Sequence, residues 1–424
     1  MEDIGEIVTG KEKLKAVFSR QTSPVPFDLG GTPTTGVHCS MVEKLRNYYG
    51  LEKRPVHVYE PMMMLGQIDS DLQKALGTDV INYPGYYDVF GLKHDTLKEW
   101  KSPWGQTVLF PEEFEYTKDE KGSFYIHARG DVTAPPSGMM SPDGYYFQPI
   151  YRQQPIDDDN LNVEDNLEEF GLLDSGTINF LKSKRAEAEK SGLAYGGIPG
   201  GTSIGDIALV PGTMLKNPKG IRGMEEWYIS TITRTDYLCE LFDRQTDIAL
   251  KNMETYWEIV GDSVDVIFLC GTDFATQNSL FCSPETFRNV YMPAYKKMNS
   301  WIHKNTTWKT MKHSCGAVEP LIEAFIECGF DILNPLQWNT SGMDRELIKT
   351  KYGSRIILWG GGVDTQKTLP FGTPEAVRRE VLECLEIFAR DGGYVFNPVH
   401  NIQAKTPIEN VIAMIDALAE FNGK

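Results

Sequence analysis

The sequence has no uninterrupted run of about 18 apolar residues, the length that a helix needs to cross a bilayer. Its first residues, Met1 to Val8, are acidic where a secretory signal would be basic and then apolar. It also lacks an excess of Lys and Arg, and its formal net charge is -17. Proteins that wrap nucleic acid or lie on anionic membranes need clustered cations. We therefore expect a cytoplasmic protein that binds neither nucleic acid nor a membrane.

Paired cysteines and nucleotide-binding loops are also missing. The seven cysteines are scattered singly, unlike a disulfide framework. The glycine-rich segment Gly196–Gly201 matches neither a GxGxxG nor a Walker pattern, so it is a poor candidate for a nucleotide loop. We interpret it as a mobile loop that lines the mouth of the fold.

The second half of the chain carries a clear fold signal. From about Val264, short β-branched runs alternate with amphipathic helical stretches, the pattern of a parallel sheet built from βα units. The predicted strands are 264–271, 307–313, 330–335, 355–359 and 393–397. Ser283, Thr373 and Thr406, each followed by Pro, mark predicted helix starts. We predict an α/β fold, a (β/α)8 TIM barrel.

The signal changes between about Trp100 and Pro149. This stretch is rich in aromatic and turn-forming residues, and Ser123 to His127 is typical of one arm of a hairpin. We predict that residues 100–150 form an antiparallel β insertion or cap in the N-terminal half. The rest of 1–424 is interpreted as one barrel domain.

Barrel enzymes draw their catalytic groups from the C-terminal ends of the strands. After the five predicted strands, this rule selects Asp273 and Gln277, His313 and Cys315, Gln337 and Trp338, Asp364, and His400 and Asn401. We take Asp273 and Gln337 as candidate catalytic residues.

The most specific element is the pair His313 and Cys315. Residues two apart in an extended segment project to the same side, so the imidazole and the sulfur could close on one metal ion. His400 follows the last predicted strand, which should lie beside the earlier ones in a closed sheet. Three such ligands with an open fourth position are typical of catalytic zinc. The alternatives remain a pair without metal, or a fourth ligand among Asp273, Glu319 and Asp364.

From about Gly271 to the C-terminus, the sequence resembles the uroporphyrinogen decarboxylase-like superfamily, which includes cobamide-dependent methyltransferases. The resemblance is carried by Gly271-Thr272-Asp273, Gln277, Ser283-Pro284, His313–Gly316, Gly329–Pro335, Asn397–Ile402 and Thr406–Asn410. The segment Val25–Thr32 also resembles the first strand of some members.

The resemblance implies two activities. Zinc methyltransferases of this superfamily use an HxC pair and a later cysteine as ligands, and this chain offers His400 in place of that cysteine. Uroporphyrinogen decarboxylases bind an octacarboxylate with an arginine-rich motif near the N-terminus, which Arg20-Gln21-Thr22 does not continue. The methyltransferase is therefore favoured over the decarboxylase.

The expected reaction is methyl transfer between a small methylated donor and the cobalt of a corrinoid, with zinc held by His313, Cys315 and His400. No DxHxxG signature occurs, so the corrinoid would arrive on a partner protein. A methoxylated aromatic donor could be walled by Trp338, Trp359 and the tyrosines of 83–87. The alternatives are a metal-free decarboxylase, with Asp273 or His400 handling protons, and a non-catalytic corrinoid-binding barrel. Whether the chain forms a homo-oligomer stays open.

Overall fold

The computed structural model describes residues 9–22 and 24–423; Met1–Val8, from which we expect no secretory signal, lies outside them. The strands are β1 Val56–Glu60, β2 Leu65–Gly66, β3 Val80–Asn82, β4 Leu97–Lys101, β5 Thr107–Pro111, β6 Tyr116–Lys118, β7 Phe124–His127, β8 Pro136–Met140, β9 Gln148–Pro149, β10 Ala194–Gly197, β11 Val266–Cys270, β12 Lys309–His313, β13 Ile332–Asn334, β14 Ile357–Trp359 and β15 Tyr394–Val395. The helices are α1 Gly10–Phe18, α2 Cys39–Tyr48, α3 Ser70–Leu76, α4 Ser175–Ser191, α5 Met224–Thr233, α6 Thr235–Val260, α7 Pro284–Thr286, α8 Met292–Asn305, α9 Glu319–Glu327, α10 Arg345–Tyr352, α11 Thr368–Phe371, α12 Pro374–Phe388 and α13 Ile408–Phe421. A π-helical segment, 287–291, joins α7 to α8, and 3₁₀ turns span 128–130, 163–166 and 261–263.

Seven parallel strands form one sheet in the order β15-β14-β13-β12-β11-β10-β3. The gap between its two edges is filled by Phe27, which bridges Phe396, and Asp28, which bridges Val80. The Asp28 N–H donates to the Phe396 carbonyl at 2.9 Å, and the Asp79 N–H donates to the Phe27 carbonyl at 2.8 Å. The sheet therefore closes, and the predicted (β/α)8 barrel is confirmed.

The five predicted strands of the second half are confirmed as β11 to β15, each shorter by one or two residues at one or both ends. The sequence pattern does not predict β3 and β10. The interpretation of Gly196–Gly201 as a loop is wrong for its first two residues, which belong to β10. Glycine is required at Gly196, because a Cβ there would lie 2.1 Å from the Gly31 carbonyl oxygen.

The barrel interior is filled by apolar side chains, and α1 covers its N-terminal end. Leu14 and Val17 of α1 belong to the same buried cluster as the interior side chains Val80, Ala194, Val266, Phe268, Met311, Ile332, Ile357, Trp359 and Val395. Lys13 Nζ lies 2.7 Å from a carboxylate oxygen of Asp79, at the start of β3. The opposite end, where the strands finish, is therefore the open mouth.

The predicted helix starts are confirmed at two of three positions. Ser283 accepts a hydrogen bond from the Thr286 N–H, and Thr373 accepts one from the Ala376 N–H. The third is wrong, because α13 starts after Pro407 without a side-chain cap, so Thr406 lies one residue too early. In the part of the chain that is described, no helix combines the length and apolar character that crossing a bilayer requires.

Two further sheets lie in the N-terminal half. One is antiparallel, in the order β6-β7-β8-β9, with β7 as the predicted hairpin arm. The other, β2-β1-β5-β4, also contains a parallel pair, β1 with β5, and recruits residues upstream of the predicted insertion. Trp100 packs against Phe110, Phe114 and Phe124 with ring centroids 5.2–5.8 Å apart, so much of the aromatic content serves packing.

Candidate metal centre and cleft

The structure brings His313, Cys315 and His400 together at the barrel mouth. His313 ends β12, Cys315 follows two residues later, and His400 lies in the loop after β15. Their potential ligand atoms all lie within 4.8 Å of one another. The Cys315 sulfur is 3.6 Å from His313 Nε2, and the two imidazole centroids are 5.7 Å apart.

The route by which His400 arrives differs from expectation. Strand β15 is not adjacent to β12, because β13 and β14 lie between them in the sheet. His400 instead reaches His313 across the barrel mouth, where the curvature of the closed sheet turns the strand ends toward each other. Barrel closure, and not strand adjacency, therefore forms the cluster.

The hydrogen on the His313 ring is assigned by its neighbour. His313 Nδ1 lies 2.7 Å from Asn334 Oδ1, while the Asn334 amide nitrogen donates to the Trp359 carbonyl at 3.2 Å. Since the amide oxygen can only accept, His313 Nδ1 carries the hydrogen and Nε2 presents its lone pair toward Cys315. Such an outer hydrogen bond is the usual companion of a metal-binding histidine.

Burial sets the protonation states in the cluster. It lowers the pKa of both His313 and His400 to about 4, so both rings are neutral at pH 7. It raises the pKa of the Cys315 thiol well above its usual value, and the nearby Asp273 raises that pKa further. Two neutral imidazoles are ready to bind a metal, whereas the thiolate needs a positive charge beside it. The donor set therefore fits a divalent cation.

Asp273 and Gln337, the candidate catalytic residues, both hold the segment that carries Cys315. Asp273 Oδ1 accepts from the Cys315 N–H at 2.7 Å and lies 3.9 Å from His313 Nε2. Gln337 Oε1 accepts from the Gly316 N–H at 2.7 Å. Asp273 also lines the cleft described below, whereas Gln337 is not among the lining residues. Their catalytic roles stay predictions.

The other two candidates for a fourth ligand are engaged elsewhere. Glu319 pairs with Lys351 at 2.6 Å and accepts from the Tyr352 hydroxyl at 2.7 Å. Asp364 accepts from the Gln366 N–H at 2.6 Å. Of the three candidates for a fourth ligand, only Asp273 lies beside His313 and Cys315.

Lys312 is a functional candidate that the sequence analysis missed. Its side chain is fully buried, and its ammonium donates to the carbonyls of Thr272 and His313 at 2.8 and 2.5 Å. The Phe274 ring lies 4.9 Å from the charge. Lys312 thus ties the end of β11 to the end of β12, and burial lowers the pKa of its amino group. A lysine inside a predicted strand carries no distinguishing sequence signal.

A cleft of about 2000 Å³ opens at the mouth, and His313, His400 and Asp273 line it. Tyr83, Tyr86 and Tyr87 line it too, together with the glycine-rich loop. The prediction that tryptophans wall the cleft is wrong. Trp359 is buried in the barrel interior, where its indole donates to Asp28 at 2.7 Å, and Trp338 donates to the Gly361 carbonyl at 2.8 Å.

Acidic side chains outnumber basic ones along this cleft. Eleven acidic residues line it, namely Glu60, Asp69, Asp88, Asp95, Glu113, Glu168, Glu169, Asp174, Glu187, Asp206 and Asp273. Five basic residues line it, namely Arg54, Lys93, Arg129, Lys184 and Lys190. Burial raises the pKa of Glu60, Asp206 and Asp273, so the excess negative charge is smaller than this count, but the lining offers few cations to a ligand with many negative charges.

Residues 213–421 match the protein family described as uroporphyrinogen decarboxylase (URO-D). The uroporphyrinogen decarboxylase of Psychromonas ingrahamii is 32% identical over 101 residues, which are 24% of this chain and 27% of the relative. The methylcobamide:CoM methyltransferase MtaA of Methanosarcina barkeri is 26% identical over 214 residues, which are 50% of this chain and 56% of the relative. The matched regions thus span about a quarter and about half of these relatives.

A solved structure, a methyltransferase from Methanosarcina mazei, has the same overall fold. It superimposes with a TM-score of 0.55 and 19% sequence identity, covering 97% of this chain and 99% of the other.

Proposed function

This chain belongs to the uroporphyrinogen decarboxylase-like superfamily, and from that premise we propose that it is a zinc-dependent methyltransferase acting with a corrinoid protein. It would transfer a methyl group between a small methylated donor, such as a methoxylated aromatic compound, and the cobalt of the corrinoid. The observation that carries this proposal is the convergence of His313, Cys315 and His400 within 4.8 Å. Imidazole and thiolate are both zinc ligands, and three protein ligands with a fourth position open are the pattern of catalytic zinc.

When bound, zinc would act as a Lewis acid toward the heteroatom that carries the methyl group. With one thiolate ligand, the zinc ion would keep more positive charge than it would with two thiolate ligands. This property suits ether or amine donors, whose leaving groups are poor.

The protein's own residues orient the site. Asn334 fixes the His313 ring, and Asp273 and Gln337 fix the backbone of Cys315 and Gly316. Asp273 also lines the cleft, and burial raises its pKa. We assign Asp273 the handling of a proton at the departing heteroatom, and we assign Gln337 a positioning role through Gly316.

The corrinoid would be delivered by another chain. No DxHxxG signature occurs in the sequence, and a methyltransferase named for its methylcobamide substrate is among the relatives. A mouth of about 2000 Å³ is larger than the clefts of roughly 300–1,000 Å³ that hold single small ligands. It offers space for both a donor and part of a corrinoid.

The alternative is a metal-free decarboxylase, which the similarity to uroporphyrinogen decarboxylases favours. The composition of the cleft argues against a polyanionic substrate, because eleven acidic side chains line it and only five basic ones do. A decarboxylase of this chain would therefore act on a smaller or less charged acid.

The test measures zinc in the purified protein and methyl transfer from a panel of methoxylated aromatics and methylamines to cob(I)alamin. We expect one zinc per chain, methyl transfer from at least one donor, and loss of both in Cys315→Ala. The matched control is Cys328→Ala, because Cys328 is also a buried free cysteine but lies outside the cluster. Zinc retained in full by Cys315→Ala, or decarboxylation without metal, would reject the proposal.

A further inference from the structure

A second group of polar side chains lies in the cleft away from the proposed metal ligands. It joins His57 on β1, His94 just before β4, and Asp88. His57 Nε2 and His94 Nδ1 are 2.8 Å apart, and His94 Nε2 lies 3.5 Å from Asp88 Oδ2. The first contact is a hydrogen bond, and the second places the Asp88 carboxylate beside the His94 ring without a hydrogen bond.

The direction of hydrogen bonding along this chain of three residues can be assigned from Asp88. Its Oδ1 accepts from the N–H groups of Phe90 and Leu92 at 2.8 and 3.1 Å, which turns Oδ2 toward His94. The two atoms do not form a hydrogen bond, but the carboxylate oxygen 3.5 Å away favours the tautomer that carries a hydrogen on His94 Nε2 over the one that presents a lone pair there. In its neutral form each ring carries a single hydrogen. His94 Nδ1 then accepts from His57 Nε2, and His57 Nδ1 is left with a free lone pair.

That lone pair is available to a ligand. His57 lines the cleft, and Nδ1 has no hydrogen-bond partner among residues 9–22 and 24–423. Burial, with smaller effects from His94 and then Lys184, lowers the pKa of His57 to about 3, which keeps the ring neutral. The chain therefore presents a fixed hydrogen-bond acceptor to the cleft, and its natural partner is a hydroxyl group.

Aromatic side chains line the same cleft as this acceptor. The backbone N–H of His94 donates to the backbone carbonyl of Tyr86 at 2.8 Å. The Tyr86 ring is 4.7 Å from the Tyr87 ring and 5.3 Å from Phe180, and all three residues line the cleft. Lys184 Nζ lies 5.0 Å from the Phe180 centroid. Flat apolar walls favour an aromatic ring, and the ammonium favours partial negative charge on its oxygen.

We propose that His57 Nδ1 accepts a hydrogen bond from the hydroxyl group of a phenol bound between these aromatic side chains. Asp88 and His94 are positioning residues that hold His57 in the accepting tautomer. The proposal concerns binding alone, so it does not rest on zinc or on methyl transfer.

The first test compares phenol with anisole at pH 8, using NMR of protein labelled with ¹⁵N in the histidine rings. We expect His57 to be hydrogenated at Nε2 in the free protein, and its Nδ1 resonance to shift on titration with phenol. Anisole has the same ring but no hydroxyl hydrogen, so it should bind about tenfold more weakly. A His57 hydrogenated at Nδ1, or equal affinities for the two ligands, would overturn the proposal.

Two variants separate the acceptor from the general shape of the cleft. In His57→Gln the amide nitrogen can replace Nε2 as donor to His94 while the Nδ1 acceptor is lost, so phenol affinity should fall about tenfold. The matched control is His303→Gln, which breaks a contact with Asp331 outside the cleft and should leave phenol affinity unchanged. Unchanged phenol affinity in His57→Gln would count against the proposal.

The variant Asp88→Asn tests whether Asp88 sets the tautomer of His57, which a purely structural role of Asp88 would leave unchanged. The Phe90 and Leu92 N–H groups require the amide oxygen at Oδ1, so the amide nitrogen would point to His94 Nε2 as a donor. Each hydrogen along the chain would then move to the opposite nitrogen, and His57 Nδ1 would become a donor. We expect weaker binding of phenol, tighter binding of benzoate and a reversed His57 tautomer. Unchanged tautomer and ligand preference in the folded variant would reject the assigned direction.

Discussion

His313 and Asn334 are joined by a 2.7 Å hydrogen bond that links the ends of the neighbouring strands β12 and β13. Because this bond orients the His313 ring, Asn334→Leu should weaken zinc binding by about 10- to 100-fold. Asn334→Asp keeps an acceptor for His313 Nδ1 and should lose less affinity. Competition with a chromogenic chelator measures both variants. Equal zinc affinity in Asn334→Leu and wild type would show that the ring needs no such support.

A side chain at position 316 would be unfavourable for two reasons, the backbone conformation of Gly316 and the lack of space around it. Its φ is +89°, and a Cβ would lie 2.5 Å from the Thr276 carbonyl oxygen. Gly105 has a similar φ of +86° but nothing within 4 Å of a Cβ, so Gly105→Ala isolates the conformational cost of about 1–2 kcal/mol. We expect Gly316→Ala to cost more unfolding free energy than Gly105→Ala in urea titrations. Only Gly316→Ala should also reduce zinc affinity, since Gly316 follows Cys315.

Zinc binding should release about one proton per ion at pH 7. The pKa values of His313 and His400 are lowered to about 4, so neither ring loses a proton on binding. The pKa of Cys315 is raised, so its thiol must lose one. The logarithm of the zinc affinity should therefore increase by about one per pH unit between roughly pH 5 and 8. Calorimetry in buffers of different ionisation enthalpy counts the protons. No proton release would mean that the Cys315 thiol is not a ligand.

Trp359→Phe should destabilise the barrel more at high pH than at low pH. Burial raises the pKa of Asp28 to about 7, while the indole bond lowers it. Removing the indole raises the folded-state pKa further, so the folded state holds a proton that the unfolded chain loses above about pH 4. The free energy of unfolding of Trp359→Phe therefore continues to decline up to a higher pH than that of the wild type. We expect an extra loss of about 1 kcal/mol at pH 8 relative to pH 5 in urea unfolding, since only the pH interval above the wild-type pKa of about 7 contributes.

Trp338→Phe is the matched control for that prediction. The Trp338 indole donates to the Gly361 carbonyl, which does not titrate, so the stability loss should be the same at both pH values. Equal losses at pH 5 and pH 8 in Trp359→Phe as well would show that Asp28 does not ionise in this range.

The sequence pattern predicts the second half of the barrel well because short strand-like runs, of which β11 (Val266–Cys270) is entirely apolar, alternate with amphipathic helices. It misses the strands of the first half for physical reasons. Strand β10 is Ala-Tyr-Gly-Gly, whose glycines have poor β propensity. They are required there by the close approach of Gly31, which belongs to a distant part of the chain. Tertiary crowding of this kind leaves no local signal.

The proximity of His313 to Cys315 follows from their spacing, because alternate residues of an extended segment face the same side. The meeting of His313 and His400 depends on closure of the ring, which only the barrel prediction supplies. The pairing of His57 with His94 could not be predicted, because it joins a strand to a loop in a region with no periodic pattern.

The pairing of Phe27 with Phe396 has a consequence for how the chain folds during synthesis. The segment around Phe27 cannot pair with this neighbour until residue 396 has left the ribosome. Until then, the nascent half-barrel has two unpaired strand edges, which are sites for association with other chains. Contacts this distant in sequence also slow folding. We expect truncations that remove β15 to aggregate in cells, and we expect the full chain to benefit from chaperones that shield these edges until the ring closes.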